Sequence, residues 1–353
     1  MLKKVYLLLI QLLFYFSVSA QINTAEYNNE LRGSNAMRIM FYNVENLFDT
    51  INEPLKNDED FLPNGNNRWN SFRFYNKLKN TYKVITAVGG WETPEIIGFC
   101  EIENRYVLEQ LIKRTPLKSS NYEIIHFDSP DDRGIDVGLI YRPDKFNPIE
   151  QEPLNVSLEN DTTFKTRNIL YVKGIVFNKD TLHLFVNHWP SRRGGETDSE
   201  PKRIEAAKTA RKKIDEILKV NTNANILLMG DFNDYPDNRS LNEILSAQED
   251  IAIAQKNDLI NLMFEKLKNH EGSHKYQSHW GCLDQIIVSP IMLQSNNTLQ
   301  VKNNKAFIYK NDFLLKDDTR WLGKKPFRTY EGFKYNGGFS DHLPVYVDII
   351  LKD

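Results

Sequence analysis

The chain has 353 residues, 41% of them hydrophobic and 12% aromatic, ample for one large α/β domain or two small ones. A formal charge of −2 and a pI near 6.4 exclude a global cationic field, so any anionic substrate must be held by a local basic patch or by metal ions. Two cysteines, Cys100 and Cys282, are too few for a disulfide framework, and each sits in an apolar run where a buried free thiol is common.

Lys3 and Lys4 precede the apolar run from Tyr6 to Val18, and Ser19-Ala20 supplies small residues before Gln21. That order reads as a secretory signal peptide over residues 1–20, so the protein is expected to be exported, to a periplasm or to the medium. The apolar run falls short of the ~20 residues that a membrane span requires. Residues 21–35 are polar and unpatterned and read as a flexible tether. No Pro/Gly/Ser-rich linker divides 36–353, which are expected to form one domain.

Met37 to Asn43 has the pattern of a strand, and it ends in a cluster of Asn43, Glu45 and Asn46. Residues 50–70, rich in Asn, Asp, Pro and Gly, predict a surface loop. Ser71 to Val88 predicts a helix with Phe74, Leu78, Tyr82 and Ile85 on one face. Glu95 to Glu101 is a buried strand that hands a carboxylate to its end, and Glu103 to Arg114 follows as a helix. Tyr122–Phe127 and Ile135–Tyr141 are strands. A hairpin of Asn168–Phe177 and Thr181–Val186 turns at Asn178-Lys-Asp180 and runs into Asn187-His188-Trp189-Pro190.

Ser199 to Val220 is the longest predicted helix, with Ser199 as its cap and Pro201 in its first turn. The run Ile226-Leu-Leu-Met229 is a strand buried on both faces. Gly230 ends it, and Asp231 and Asn233 follow two residues apart, on the same side of the backbone. A short helix is expected near Ser240–Gln248, whereas 250–277 is weakly patterned. Cys282–Val288 and Val345–Leu351 are the last clear strands. Between them, residues 296–338 are polar and dotted with aromatics, and read as an insertion at the rim of an active site.

Asn43, Glu101, His188, and Asp231 with Asn233 thus stand at strand ends. Asp284 opens a fifth strand, and Ser340-Asp341-His342 leads into the last. Singly, each has a plain explanation as a turn residue, a helix cap or a satisfied core histidine. Together they matter more, because ligands of sheet-based α/β folds sit where the loops after the strands converge. Hard oxygen donors, with no Cys or His cluster at zinc spacing, favour Mg²⁺, with Mn²⁺ or Ca²⁺ as alternatives. Such a set suits attack of water on a phosphorus ester, a cation taking up charge while an imidazole and a carboxylate handle the proton.

The ordered series Asn43, Cys100-Glu101-Ile-Glu, Asn187-His188-Trp-Pro, Gly230-Asp231-Phe-Asn233, Leu283-Asp284 and Ser340-Asp341-His342 resembles the endonuclease/exonuclease/phosphatase superfamily, from about residue 36 to the C-terminus. The resemblance implies an α/β (α+β) fold like that of deoxyribonuclease I: a four-layer sandwich of two mixed β-sheets flanked by helices, with the site at one end. It implies that Glu101 binds the divalent metal, with Asn43 beside it, touching metal or substrate, and Asp341 close enough to join the metal shell. Asp231 would orient the attacking water and Asn233 contact phosphate or metal. His342, oriented by Asp284, would be a general base or a phosphate-stabilising imidazole, and His188 a second imidazole for the transition state. Asp136 is expected near the phosphate or near His188, and Arg192 and Arg193 are expected to clamp phosphate. The repair nucleases of the superfamily tend to carry Tyr where this chain has His188, which argues against a base-excision repair role.

His270-Glu-Gly-Ser-His274 matches a zinc-protease pattern, but Gly272 and Ser273 make a poor helix, and the run reads as a loop leading to Asp284. The expected activity is that of an exported, divalent-metal-dependent phosphodiesterase. A phosphodiester, as in a nucleic acid, is the expected substrate, cut by a nuclease acting as a monomer without an obligate protein partner. Lys305, Lys310, Lys324, Lys325 and Arg328 are expected to line a groove for it. A phosphatase or phospholipid phosphodiesterase on the same fold is the alternative, and an inactive binding protein a further one.

Overall fold

The computed structural model describes residues 32–352; the expected leader and most of the expected tether lie outside the described residues. From Arg32 on, the chain is fastened to the domain: its guanidinium donates to Gly89 O at 2.8 Å and Glu92 O at 2.7 Å and pairs with Glu95 at 3.3 Å.

In chain order, β1 (Ala36–Leu47) leads through helix α1 (Ser71–Gly89) to β2 (Ile96–Ile102). Helix α2 (Arg105–Arg114) is capped by the Asn104 side chain on Val107 N. Then come β3 (Glu123–His126), β4 (Asp136–Tyr141), β5 (Phe146–Leu154), β6 (Ile169–Val176) and β7 (Asp180–His188). Helix α3 (Glu196–Val220) starts three residues before the expected position, with Gly195 rather than Ser199 at its cap; the Ser199 hydroxyl bonds back to Gly195 O instead. After β8 (Asn225–Asp231) the expected short helix is a single wide turn, Ser240–Ile244, followed by β9 (Ala247–Gln248). The weakly patterned stretch holds β10 (Leu259–Asn261), α4 (Phe264–Lys268) and the hairpin of β11 (His274–Tyr276) and β12 (His279–Gly281). The chain ends with β13 (Asp284–Val288), β14 (Leu299–Ile308), the small hairpins β15–β16 (Leu315–Asp317, Lys324–Pro326) and β17–β18 (Tyr330–Glu331, Lys334–Tyr335), and β19 (Val345–Leu351).

Two mixed sheets result, in the orders β14-β19-β1-β2-β4-β3 and β5-β6-β7-β8-β13-β10-β9. Each has a parallel pair at its heart, β1 with β2 and β7 with β8, flanked by antiparallel neighbours. The expected insertion of residues 296–338 is therefore only partly an insertion. Its first part, β14, is an edge strand of the first sheet, paired with β19.

The sheets face each other across one core. Met37, Ile39, Phe41, Cys100, Val137 and Leu139 come from the first sheet, and Leu182, Leu184, Val186, Leu227, Met229 and Ile286 from the second. Helix α3 covers the outer face of the second sheet, laying Ala206, Ala207, Ala210, Ile214 and Ile217 on Phe185, Ile226, Leu228 and Ile287. Helices α1 and α2 pack against the first sheet and each other. This is the four-layer sandwich expected from the resemblance.

Candidate active site

The period of two along a strand decides which polar residues enter the site. On β1 the inward row Met37, Ile39, Phe41 continues to Asn43. On β7 Leu182, Leu184, Val186 continues to His188; on β8 Leu227, Met229 to Asp231; and on β13, read backwards, Val288, Ile286 to Asp284. Each apolar row ends, at the same end of the sandwich, in a residue that can hydrogen-bond. Register confirms the alignment: His188 and Asp284 both pair with Asp231 across the sheet. Gly230 is required there, since a Cβ would lie 2.5 Å from the Asn187 Cβ and carbonyl oxygen.

Two irregularities aim the acidic residues. The pairing of β1 with β2 shifts between Asn43 and Leu47, where Glu45 and Asn46 take φ of 54° and 56°. The pairing of β2 with β4 shifts between Cys100 and Ile102, where Glu101 takes φ of 59°. Bulges of this kind re-aim a side chain at the price of left-handed backbone. Glu101 emerges from its strand with one oxygen, Oε2, held by Asn46 N at 3.0 Å. The other, Oε1, lies 3.9 Å from His188 Nε2 and 4.0 Å from Arg133.

At the centre, His342 Nδ1 bonds Asp284 Oδ2 at 2.7 Å, and Nε2 faces Asp231 Oδ2 at 3.8 Å. Ser273 Oγ donates to Asp284 Oδ2, and the Ser340 hydroxyl accepts from His342 N at 3.0 Å and donates to Asn43 O at 2.7 Å. Burial pulls the imidazolium down, but Asp284 and Asp231 outweigh it and hold His342 well above the ordinary histidine value. Burial lifts the Asp231 carboxyl to about 7, against the pull of His342. Asn43 Nδ2 and Asn233 N donate to its two oxygens at 3.1 and 3.0 Å. His188 is pushed well below the usual value by burial and then by Arg167, so its ring is neutral; Nδ1 has no partner and Nε2 lies 3.9 Å from Asp231 Oδ2.

This donor set fits a divalent cation. Asp231, Asp284 and His342 place ligand atoms within 4.8 Å of one another, as do His274, Asp341 and His342. Cys100 lies in a similar group with His188 and Asp231, but burial drives its thiol well above the usual range, which makes it an inert neighbour. A buried carboxylate raised like Asp231 ionises fully only when further positive charge arrives. Glu101 Oε1, 3.9 Å from His188 Nε2, would offer such a cation a hard ligand.

Asp341, expected in the metal shell, gives Oδ2 to Arg328 at 3.0 Å. Burial would raise its carboxyl, but Arg328, His342 and His274 hold it at about 2. Arg328 also bonds Glu45 at 2.8 Å, and Thr329 N donates to the other Glu45 oxygen at 2.7 Å. Lys77 on α1, buried, donates to Thr329 Oγ1 at 2.6 Å and Phe339 O at 2.5 Å. Neither Glu45 nor Lys77 was assigned to the site by sequence, where only the Asn43-Glu45-Asn46 cluster pointed toward it, and Arg328 was expected in a substrate groove rather than among the site's acids. His274 was missed as well. Its backbone bridges His342 and its ring lies 4.7 Å from the His342 ring. The signal was there, as the second histidine of the run set aside as a loop.

Asp136, Arg192 and the Asn233 carboxamide, expected at the phosphate, have other partners. Asp136 alternates with the inward Val137 and Leu139, so it points to the outer face, where His126 Nε2 at 3.0 Å and Ser129 N at 2.9 Å occupy its two oxygens. Arg192 is spent on the loop after β8, donating to Asn233 O at 2.8 Å and Asn238 Oδ1 at 2.7 Å and pairing with Asp234 at 3.1 Å. Arg193 is exposed. Asn233, at φ 52°, donates its side-chain amide to Trp189 O at 3.0 Å, so its backbone N–H rather than its carboxamide serves Asp231. The expected basic groove is neutralised: Lys305 pairs with Glu265 at 3.6 Å, Lys324 with Asp317 at 3.1 Å, Lys325 with Glu331 at 2.7 Å and Arg328 with two acids, while Lys310 lies 4.0 Å from the Trp280 ring centroid.

A model of the Endonuclease/Exonuclease/phosphatase family matches residues 38–351. Among solved structures, the chain is similar to an endonuclease/exonuclease/phosphatase family protein from Bacteroides thetaiotaomicron, at 18% identity over 90% of this chain and 98% of that one, with a TM-score of 0.55. It is similar to the mannosyl-6-phosphatase of Bacteroides thetaiotaomicron VPI-5482, at 19% identity over 89% and 100% of the two chains and a TM-score of 0.55. The catalytic domain of human Nocturnin, with bound sulfate, matches at 16% identity over 92% and 96%, TM-score 0.52. At such identities the likeness is one of fold. A sequence search of curated proteins finds no match.

Proposed function

Since the chain belongs to the endonuclease/exonuclease/phosphatase family, we propose that it hydrolyses a compact phosphate ester with water, with a divalent cation, Mg²⁺ first and Mn²⁺ or Ca²⁺ as alternatives, held at Glu101. The observation that carries this reading is the His342–Asp284 pair at 2.7 Å, facing Asp231 at 3.8 Å with neutral His188 beside it. When bound, the cation supplies positive charge to the phosphoryl group and the leaving oxygen. Asp231, steadied by Asn43 and Asn233, orients the water and takes its proton. The oxygen of that water bonds to phosphorus as the bond to the leaving oxygen breaks. The His342 imidazolium meets the charge growing on the phosphoryl oxygens and gives a proton to the departing alcohol. His188 adds a neutral hydrogen-bond donor. The protein acts alone and, with its leader over 1–20, after export.

A compact ester is favoured over a long nucleic acid because the lysines placed for a groove are paired with carboxylates, which removes the net charge that binding to a polyanion draws on. A nuclease is the second reading, supported by Arg133, whose side chain is 48% exposed beside Glu101, and by exposed Arg193. The test is a panel of sugar phosphates, methyl phosphate, mononucleotides, DNA, RNA and sphingomyelin, each with Mg²⁺, Mn²⁺, Ca²⁺ or EDTA. Cation-dependent release of phosphate from small esters is expected. Preferential cutting of DNA or RNA would favour the second reading, and an inert protein across the panel would overturn both.

A further inference from the structure

Beside the His342–Asp284 pair lies a cleft of about 480 Å³, and His274, Arg328 and Asp341 belong both to its wall and to the catalytic centre. A group attached to a phosphate at the centre would extend into it. Its size is in the range of small-molecule sites, with room for a ring or two.

The wall is built rather than incidental. Asp318, 5% exposed, accepts from the N–H groups of Arg320 and Trp321 through one oxygen, each at 3.1 Å, and from Lys275 Nζ through the other at 2.9 Å. Lys275 also donates to Leu322 O at 2.8 Å, which ties the β11 hairpin to the turn between β15 and β16. The turn thereby presents Trp321, 41% exposed, while β11 presents Tyr276, 69% exposed. Large rings left in water on a pinned turn are surfaces for a flat partner.

The charges narrow the partner. Lys275 is matched by Asp318, Lys325 by Glu331 at 2.7 Å, and Arg328 by Asp341 at 3.0 Å. Those three pairs cancel, and Arg320, 5.3 Å from the Trp321 ring centroid, adds one positive charge to the wall; ammonium, guanidinium and carboxylate groups keep spare donors and acceptors suited to hydroxyls. Aromatic faces with such paired polar groups suit the C–H face and hydroxyl edge of a sugar.

We propose that this cleft is the leaving-group subsite and that it receives a neutral carbohydrate, with Trp321 stacking on the ring, so that the substrate is a sugar phosphate. The inference rests on the hydrolase reading above. The reaction consumes one water: its oxygen joins phosphorus, the P–O(sugar) bond breaks, and the sugar leaves with a restored hydroxyl beside inorganic phosphate.

Two measurements test it. In steady-state assays, the enzyme should prefer a hexose 6-phosphate to methyl phosphate, and Trp321→Ala should reduce that ratio of kcat/KM about tenfold, chiefly through KM. An unchanged ratio, or a mononucleotide preferred to the hexose phosphate, overturns the proposal. Calorimetry on His342→Ala separates the cleft from the chemistry. Hexose 6-phosphate should bind about tenfold more tightly than methyl phosphate, and the addition of Trp321→Ala should erase the difference. Equal binding of the two esters refutes the subsite whatever the turnover. A preserved difference in a protein whose wild type hydrolyses no ester would sustain the subsite and sink the hydrolase reading.

Discussion

Asp284→Asn keeps the size of the side chain and an acceptor for His342 Nδ1–H while removing one charge. In the wild type, Asp284 sits 2.7 Å from His342 and Asp231 3.8 Å away, and together they hold the imidazolium well above the ordinary histidine value against burial. Unit charges about 4 Å apart, at an effective dielectric of about 20, interact by about 4 kcal/mol, and the Asp284 contact is closer than that. Removing this charge lowers the His342 pKa, with Asp231 left to hold it up against burial. The proposed mechanism uses the protonated ring, so the alkaline limb of the kcat/KM profile should move to lower pH, measured at fixed cation concentration. A limb that stays in place, or an acid limb that moves instead, would mean that His342 works as the neutral base.

The same substitution has a stability signature of known sign. A histidine whose folded pKa is raised contributes stability that is complete below its unfolded value, about 6.5, and is lost as pH climbs through the raised folded value. Thermal melts of the wild type should therefore show this contribution fading on the alkaline side, and Asp284→Asn should flatten the slope. A variant with an equally steep alkaline loss would locate the titration elsewhere.

Three further outcomes follow from the geometry. EDTA should abolish turnover, and Glu101→Gln should raise the Mg²⁺ concentration for half-maximal activity at least about a hundredfold; a variant with the wild-type cation response would remove Glu101 from the metal site. Gly230→Ala, whose new Cβ would lie 2.5 Å from Asn187, should lower stability in urea by about 1–3 kcal/mol and misplace Asp231 enough to abolish activity, whereas a fully active variant would show that β7 and β8 part freely. Arg192→Ala should cut kcat about ten- to a hundredfold with KM nearly unchanged, because it holds Asn233 O and not the substrate. A rise in KM alone would restore the phosphate-clamp role expected from the sequence.

What the sequence made legible were the places where buried rows stop. The apolar run ending at Met229 had to be a two-sided strand, and the polar residue two positions on had to share its inner face, which put Asp231 in the site without any coordinates. β14 was hidden because Lys302, Asn303, Asn304 and Lys305 interrupt its apolar residues where the register with β19 shifts. β5 was hidden because it is an edge strand whose two prolines cost the sheet nothing on the open side. The pair of buried Glu45 with half-exposed Arg328 joins residues 283 positions apart, a distance over which no local pattern speaks. Arg192 looked free because its partners, Asn233 O, Asp234 and Asn238, become neighbours only when β8 lies beside β7.

Asp136 is the instructive case, because the parity of its own strand excludes it once the faces of β4 are known. Val137, Leu139 and Tyr141 face the other sheet, while Gly138 and the buried Ile140 lie on the opposite side, where a Cβ on Gly138 would stand 2.6 Å from Ile102 and 2.9 Å from Leu108. Parity alone then turns Asp136 outward, away from a centre that lies between the sheets. The same parity admits Asn43, His188, Asp231 and Asp284. Glu101 breaks the rule and still arrives, and it does so through a left-handed residue in a bulge. A carboxylate on the wrong parity therefore reaches this centre only where the strand is bent to deliver it, and β4 has no bend at Asp136.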